Sequence, residues 1–165
     1  MKWGIIGAMP SEVTLLKQQM QDICEVNVGR QVFWEGILCN QEIVVSSCGI
    51  GKVNAAITAQ MMIDRFGAQR IINTGIAGAI HHDLKVLDVV VSRELCYHDY
   101  NARFLRDYPP YIDSIRASDL MIEAAVEAFE AIDHGSSCCF VGKIASGDQF
   151  IESLSLIHIS EPTRP

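Results

Sequence analysis

Apolar residues near the start of the chain form a short run that ends in a glycine turn. Residues 3–6 are almost entirely apolar, and Gly7 follows them. A run of this length predicts a strand that is buried on both faces. Ser11 predicts the N-cap of a helix that begins near Glu12. This arrangement places Glu12 at the carboxyl end of a strand, the edge at which open α/β sheets bind ligands.

A helical pattern follows Glu12. Apolar side chains recur at Val13, Leu16, Met20 and Ile23, with polar residues between them. This spacing predicts an amphipathic helix that packs on the sheet and extends to about Ile23.

The next segments favour strands and then a second helix. Residues 26–35 and 37–47 are rich in β-branched and alternating positions, which predicts two strands with a hairpin turn at Asn40 and Gln41. Residues 53–66 have the composition of a long helix, and Gly67 predicts its end.

The second half of the chain repeats these patterns. A buried strand beginning at Arg70 is predicted to break into a turn of small residues at 73–79. The remaining predictions are a strand over 86–92 extended by 93–98, a surface loop over 99–117, a helix over 118–132 and a strand over 138–145.

Several β-helix-β units with buried strands indicate an α/β fold with a mixed, mostly parallel central sheet between helices. At 165 residues, the length favours one domain. The chain has a net charge of −7, and its basic residues are scattered singly. Both observations argue against nucleic acid as a partner, because nucleic-acid-binding proteins need clustered basic residues. No apolar run reaches the length of a membrane span, and the amino terminus lacks the pattern of a signal peptide.

The six cysteines show neither a C-x-x-C pair nor the spacing of a zinc site. They are therefore interpreted as small buried apolar residues in a reducing compartment, which makes the cytoplasm the expected location.

The glycine turns do not match nucleotide-binding motifs. The segment from Gly49 to Lys52 has Val53 where a P-loop needs Ser or Thr, and no turn contains the three glycines of a dinucleotide site. We therefore expect no cofactor. The glycines instead allow the backbone to approach a flat or sugar-like ligand closely.

Two histidine motifs have competing interpretations. We do not expect His81, His82 and Asp83 to bind a metal ion, because neighbouring histidines rarely converge without helical i, i+4 spacing. His98 and Asp99 could be an orienting pair or a structural hydrogen-bonding pair at the end of a strand.

Glu12 is the best catalytic candidate, although a Glu in the first turn of a helix is often only a surface residue that complements the helix dipole. Met9 could be a core residue or a ligand contact. Phe150 could be core or a platform on which a base stacks. The aromatic residues of the 99–117 loop indicate a functional or interface role, against a packed Ω-loop.

Five ordered blocks together resemble the bacterial 5'-methylthioadenosine/S-adenosylhomocysteine nucleosidases, over about residues 1–152. The blocks are Gly4-Ile5-Ile6-Gly7-Ala8-Met9 with Glu12, Ser47-Cys48-Gly49-Ile50-Gly51-Lys52-Val53-Asn54-Ala55-Ala56, Asn73-Thr74-Gly75-Ile76-Ala77-Gly78, Tyr97-His98-Asp99 and Ser146-Gly147-Asp148-Gln149-Phe150-Ile151. The resemblance implies a nucleoside phosphorylase-like fold and hydrolysis of an N-ribosidic bond to adenine and a thioribose product.

The same resemblance implies residue roles. Glu12 would activate the attacking water. The ribose and alkylthio region would be lined by Met9, Ile50, Ala77 and Gly78, and adenine would be held by Phe150 and the Ile151 backbone. The family works as a homodimer, in which the aromatic loop after Asp99 helps to close the neighbour's pocket.

The sequence departs from the family at three places. Ile76 stands where the family often has Ser, and residues 100–113 differ. Residues 154–165 are unlike the family and resemble a translated sequencing adaptor, so we expect 1–153 to be the amino-terminal part of one nucleosidase domain and 154–165 to be a non-native tail. The general acid and the residues that bind the ribose hydroxyls are then expected outside the chain, which predicts that this chain by itself is inactive.

Two alternatives stay open at this point. One is a purine nucleoside or uridine phosphorylase of the same fold, which would need basic residues that gather phosphate. The other is a non-catalytic ligand-binding module.

Overall fold

The computed structural model describes residues 1–112 and 114–148. The chain forms two compact units, the first from Met1 to Ala77 and the second beginning at Gly78. The predicted tail at 154–165 and the predicted base-binding residues Phe150 and Ile151 lie outside the described residues.

The first unit contains one five-stranded mixed sheet with the strand order β2-β3-β4-β1-β5. Its elements are β1 (Trp3–Gly7), α1 (Pro10–Gln19), β2 (Gln21–Val28), β3 (Gln31–Leu38), β4 (Gln41–Ser47), α2 (Lys52–Phe66) and β5 (Arg70–Asn73). Strand β1 is parallel to both β4 and β5, whereas β2, β3 and β4 are joined as antiparallel hairpins.

The core of this unit lies on both faces of β1 and β4. Ile6 belongs to a buried cluster with Met62 and Phe66 of α2. Its neighbour Ile5 belongs to a second cluster with Val13 of α1. Because successive side chains of a strand point to opposite faces, α1 and α2 cover opposite faces of the sheet. The prediction that the first strand is buried on both faces is confirmed.

Helix α1 begins earlier and ends earlier than predicted. Its N-cap is Met9, and Pro10 occupies the first helical position, where its missing N–H costs nothing. Ser11 is therefore inside the helix and is not the cap. The helix ends at Gln19 and β2 begins at Gln21, so Ile23 lies on a strand, contrary to its helical spacing.

The predicted strands over 26–35 and 37–47 are in fact parts of two successive hairpins. A turn at Gly29 and Arg30 separates β2 from β3. The second turn is formed by Cys39 and Asn40, one residue earlier than predicted, and both have positive φ angles of 48° and 60°.

The predictions for α2 and β5 are confirmed. Helix α2 spans Lys52–Phe66, and Gly67 ends it with a φ of 70°, in the left-handed conformation that glycine adopts readily. Strand β5 then spans Arg70–Asn73 and leads into the predicted turn of small residues.

The second unit contains a three-stranded sheet with the order β7-β6-β8, in which β6 and β8 are parallel. Its elements are β6 (Val89–Tyr97), α3 (Ala102–Asp107), β7 (Ile115–Arg116), α4 (Asp119–Glu130) and β8 (Cys139–Ser146). Helix α4 has the predicted N-cap, Ser118.

Two predictions for the second unit are wrong. Strand β6 begins three residues late, because Leu87 has a positive φ of 79° and the chain is still in a turn there. The region predicted as a loop over 99–117 contains α3, whose cap is formed by the Asn101 side chain accepting the Arg103 N–H at 2.9 Å, and the short strand β7.

The predicted α/β fold with a mixed sheet is confirmed. Among the described residues, three of the six strand pairs are parallel. No described helix is long and apolar enough to cross a membrane.

Candidate active site

The candidate site forms at the carboxyl end of β1 in the first unit. Glu12 is the third residue of α1, and its side chain folds back so that Oε2 accepts the Met9 N–H at 2.8 Å. This contact satisfies one of the backbone donors that every helix start leaves without an intrahelical partner. The helix start therefore holds the Glu12 carboxylate at the strand end, as predicted.

A second backbone donor holds the other carboxylate oxygen. Oε1 of Glu12 accepts the Ile76 N–H at 3.1 Å, from the loop that follows β5. Hydrogen bonds between a charged carboxylate and N–H groups are stronger than those between neutral groups. The carboxylate is thus fixed between two loops that lie far apart in sequence.

The ends of the three parallel strands are joined by further backbone bonds. Thr74 donates its N–H to the Ile6 carbonyl at 2.8 Å, and Cys48 donates to the Gly7 carbonyl at 2.8 Å. The Gly49 N–H donates to the Ala8 carbonyl at 3.0 Å. The loops that carry the candidate site are therefore continuous with the hydrogen-bond ladder of the sheet.

Two glycines leave the space that Glu12 occupies. A Cβ atom at Gly75 would lie 2.5 Å from Oε1 of Glu12 and 2.9 Å from its Cδ. A Cβ atom at Gly7 would lie 2.9 Å from Cγ1 of Val13 and 3.0 Å from Cβ of Glu12. Neither glycine has a left-handed φ. Glycine is therefore required at both positions because a side chain would not fit, and not because of the backbone conformation.

The nearby cysteine is held in its neutral form. Burial raises the pKa of the Cys48 thiol, a backbone hydrogen bond lowers it in part, and the negative charge of Glu12 raises it further. The thiol also donates to the Gly49 carbonyl at 3.0 Å. Because the thiolate is the nucleophilic form of cysteine, Cys48 is poorly suited to nucleophilic catalysis.

The first unit brings some of the predicted site residues together. Met9 is half-buried and contacts the Glu12 carboxylate through its N–H. Ala77 follows Ile76 directly and is exposed, and Gly78 is the next residue, at the start of the second unit. Ile50 is 62% exposed and lies in the turn before α2.

Two features of the site were not predicted. The Ile76 N–H was not identified as a donor to Glu12, because every residue except proline carries such a group and its use leaves no mark in the sequence. The sequence indicated the role of Gly75 only in general terms. A glycine after a buried strand indicates that another group approaches the backbone closely, but it does not identify that group.

In the second unit, His98 and Asp99 support the turn after β8. The His98 N–H donates to the Ser146 carbonyl at 3.1 Å, and Oδ2 of Asp99 accepts the Asp148 N–H at 2.7 Å. The hydrogen bonds seen at this strand end are made by the His98 backbone and the Asp99 side chain.

The comparisons with known proteins agree with the fold. The family model described as the phosphorylase superfamily matches residues 2–155. A 5'-methylthioadenosine/S-adenosylhomocysteine nucleosidase of Staphylococcus carnosus is 38% identical over 156 residues, which cover 92% of this chain and 67% of that protein. The nucleosidase of Staphylococcus aureus is 40% identical over 155 residues, with the same shares covered.

Solved structures of the same kind of enzyme are also similar. The nucleosidase of Neisseria meningitidis, in complex with methylthio-immucillin-A, has a TM-score of 0.88 and 32% identity, over 96% of this chain and 70% of that one. The nucleosidase of Colwellia psychrerythraea, in complex with adenine, has a TM-score of 0.89 and 33% identity, over 97% and 67%. These relatives do not favour the phosphorylase or the non-catalytic alternative. The chain belongs to the phosphorylase superfamily, among its 5'-methylthioadenosine/S-adenosylhomocysteine nucleosidases.

Proposed function

We propose that this chain provides the water-activating half of an N-ribosyl hydrolase that converts 5'-methylthioadenosine and S-adenosylhomocysteine to adenine and a thioribose product. The observation that carries the proposal is the Glu12 carboxylate, held at the ligand-binding edge of a parallel sheet by the N–H groups of Met9 and Ile76. The nucleosidase relatives supply the substrate class.

In the proposed reaction Glu12 acts as a general base. It takes a proton from water while the water oxygen bonds to C1' of the ribose. The C1'–N9 bond breaks as this bond forms, and its electron pair leaves with adenine. Both oxygens of Glu12 already accept one N–H, which orients the carboxylate and leaves lone pairs for the water.

A second group must protonate the departing adenine, because reactions of this type use one base and one acid on opposite sides of the scissile bond. By the resemblance to the family, this acid is an Asp of a Ser-Asp motif that follows the five matched blocks. The pair Ser118-Asp119 is a different one, because it lies between those blocks and begins helix α4. We therefore propose that Glu12 supplies only the base.

We also propose the substrate contacts implied by the family. Met9 and Ile50 line the ribose and alkylthio region together with Ala77 and Gly78. This part of the proposal is supported by the contact between Met9 and Glu12 and by the position of Ala77 directly after Ile76. Adenine is assigned to Phe150 and the Ile151 backbone on the resemblance alone.

The test measures adenine release from 5'-methylthioadenosine. It uses the 165-residue chain and a chimera in which residues 1–153 are joined to the part of the Staphylococcus carnosus relative that this chain does not match. We expect the chimera to release adenine and the 165-residue chain to release little. Glu12→Gln in the chimera should lower kcat by about 10²–10⁴-fold, the usual contribution of a general base.

Glu42→Gln is the matched control. Glu42 is an exposed residue at the start of β4, whereas Glu12 follows the end of the parallel strand β1, so the two carboxylates belong to opposite edges of the sheet. A folded chimera that releases no adenine, or one in which both substitutions have the same small effect, would contradict the proposal.

We further propose that the protein works as a homodimer in the cytoplasm. Four exposed aromatic residues follow Asp99, and a second copy would cover them; they are Tyr100, Phe104, Tyr108 and Tyr111. The cytoplasmic location is supported by the six cysteines, all of which are free. Only Cys48 is buried, so the interpretation of all six as buried residues is wrong. Analytical ultracentrifugation of the chimera should give a dimer, and Phe104→Asp should shift it towards monomer.

A further inference from the structure

A turn in the second unit brings two histidines and an aspartate together. The turn lies between β5 and β6 and is closed by the Leu84 N–H, which donates to the His81 carbonyl at 3.1 Å. Inside the turn, the Asp83 N–H donates to Nδ1 of His81 at 3.4 Å. The backbone therefore turns His81 and Asp83 towards the same point, which the sequence pattern did not lead us to expect. Because Nδ1 of His81 has one lone pair, this long N–H contact must open before Nδ1 can bind a metal ion.

The atoms of these three side chains that could bind a metal ion lie close to one another. Nδ1 of His81 lies 3.6 Å from Oδ2 of Asp83, and Nε2 of His82 lies 3.3 Å from Oδ1 of Asp83. One ligand atom from each residue lies within 4.8 Å of the others. The two imidazole rings are stacked, with centroids 4.5 Å apart and planes 24° apart.

These distances are close to those of a metal site. Zinc binds imidazole nitrogen and carboxylate oxygen at about 2.0–2.2 Å, so tetrahedral geometry places neighbouring ligand atoms about 3.3 Å apart. Two of the three ligand pairs are near that separation, the His81 pair through Oδ2 of Asp83 and the His82 pair through Oδ1. The third can close by side-chain rotation, because His81 and Asp83 are each 63% exposed and His82 is 84% exposed.

The donor set restricts the class of ion. Two imidazoles and one carboxylate suit Zn²⁺, Ni²⁺ or Cu²⁺, whereas Ca²⁺ and Mg²⁺ prefer oxygen ligands throughout. Among residues 1–112 and 114–148, this is the only group of three His, Cys, Asp or Glu residues whose ligand atoms, one from each side chain, lie within 4.8 Å of one another. We propose that His81, His82 and Asp83 form a surface site for one Zn²⁺ ion, with a fourth position open to water or another ligand.

A simple ion pair is the competing explanation, because Asp83 could contact the two imidazoles without any metal. The two explanations differ in one measurable respect. A metal site binds one equivalent of metal saturably through both histidines, whereas an ion pair binds none.

The experiment is isothermal titration of the 165-residue chain with ZnCl₂ and, separately, with NiCl₂ and CaCl₂. Ni²⁺ is included because six free cysteines could bind Zn²⁺ elsewhere. We expect one equivalent of Zn²⁺ and of Ni²⁺ to bind, and no saturable binding of Ca²⁺. His82→Ala should weaken binding by at least about tenfold, since even second-shell changes cost that much at metal sites.

His134→Ala is the matched control. His134 is exposed and stacks on Phe129, with its Nδ1 2.9 Å from the Ser137 carbonyl. This control should leave the affinity unchanged, and the double variant His81→Ala/His82→Ala should abolish binding. The proposal is overturned if the wild-type chain shows no saturable binding at millimolar metal, or if the double variant binds as the wild type does. The titration does not depend on turnover, so its outcome is separate from that of the proposed hydrolase.

Discussion

The Ile76 N–H donates a hydrogen bond to Oε1 of Glu12 across 3.1 Å, although 64 residues separate the two along the chain. Together with the Met9 contact, this bond ties the first turn of α1 to the loop after β5. The position of the carboxylate therefore depends on that loop as much as on the helix that carries Glu12.

Gly75→Ala should impair the reaction without removing any functional group. The added Cβ would lie 2.5 Å from Oε1 of Glu12, so either the carboxylate or the loop must shift. Because a displacement of about 1 Å in a catalytic group can cost about 10²-fold, we expect a loss of that order in kcat for adenine release by the chimera. Overpacking should also lower the free energy of unfolding by about 1–3 kcal/mol.

The control for that substitution is Gly142→Ala, whose Cβ would approach only Val90, at 3.9 Å. It should leave kcat nearly unchanged. Equal losses from the two glycine substitutions would argue against a specific steric requirement beside Glu12.

Met62→Ala should strongly destabilise the chain. Met62 is fully buried in the cluster beneath α2, and its sulfur would lie 2.8 Å from a Cβ atom at Gly4, so helix and strand are in close contact there. Removing such a side chain leaves a cavity and typically costs about 2–5 kcal/mol. Urea denaturation measures this cost, and Ile63→Ala, at a neighbouring position that is 47% exposed, should cost much less.

Asp88 should contribute to a pH-dependent part of the stability. Its pKa is lowered from the ordinary value of 3.8, first by the Cys138 N–H and then by the Lys85 N–H, each of which donates to the carboxylate at 2.8 Å. A pKa that is lower in the folded state stabilises the fold above the unfolded-state pKa. That stabilisation is lost as the pH falls through the folded-state value.

Urea unfolding at several pH values tests this linkage. Asp88→Asn should destabilise the chain near neutral pH, and the difference from wild type should shrink as the pH falls below about 4. Glu123→Gln, an exposed carboxyl on α4, serves as the control and should have little effect. A difference between Asp88→Asn and wild type that stays constant across the pH range would contradict the assignment.

Gly147→Ala should displace the His98 ring. A Cβ atom at Gly147 would overlap the imidazole of His98, which lies directly over the glycine. NMR should show a shift of the His98 ring resonances in this variant. Gly142→Ala, on the strand β8 that precedes Gly147, should leave them in place, because no side chain other than Val90 lies close to that position.

Much of the fold was predictable, and the errors have local causes. Strand β1 was identified because its short apolar run ends in a glycine turn, and helix α2 because its composition is that of a long helix that ends at Gly67. The end of α1 was missed because Met20 and Ile23 continue its helical spacing into β2. Helix α3 was missed because it is six residues long and none of them is buried, so no periodic pattern develops.

The position of the Glu12 carboxylate was predictable from the sequence, but its contacts were not. Glu12 was chosen as the candidate base because it directly follows a buried strand, at the edge where open α/β sheets bind ligands. The Glu12 carboxylate is held by two peptide N–H groups and fits into space that a glycine leaves. Neither feature can be assigned from the residue types in the sequence. Only the folded chain shows that Ile76 supplies the donor and that Gly75 supplies the room.

The Glu12 carboxylate fills the space in which a side chain at position 75 would lie. The effects of substitutions at these two positions therefore depend on each other. Any larger residue at 75 competes with the carboxylate for the same space, so its effect depends on what occupies position 12. In a Glu12→Ala background the steric reason for glycine at 75 disappears, and Gly75→Ala should become nearly neutral for folding. Such non-additivity implies an order of substitution: a side chain at position 75 should become nearly neutral for folding only after Glu12 has been replaced by a smaller residue.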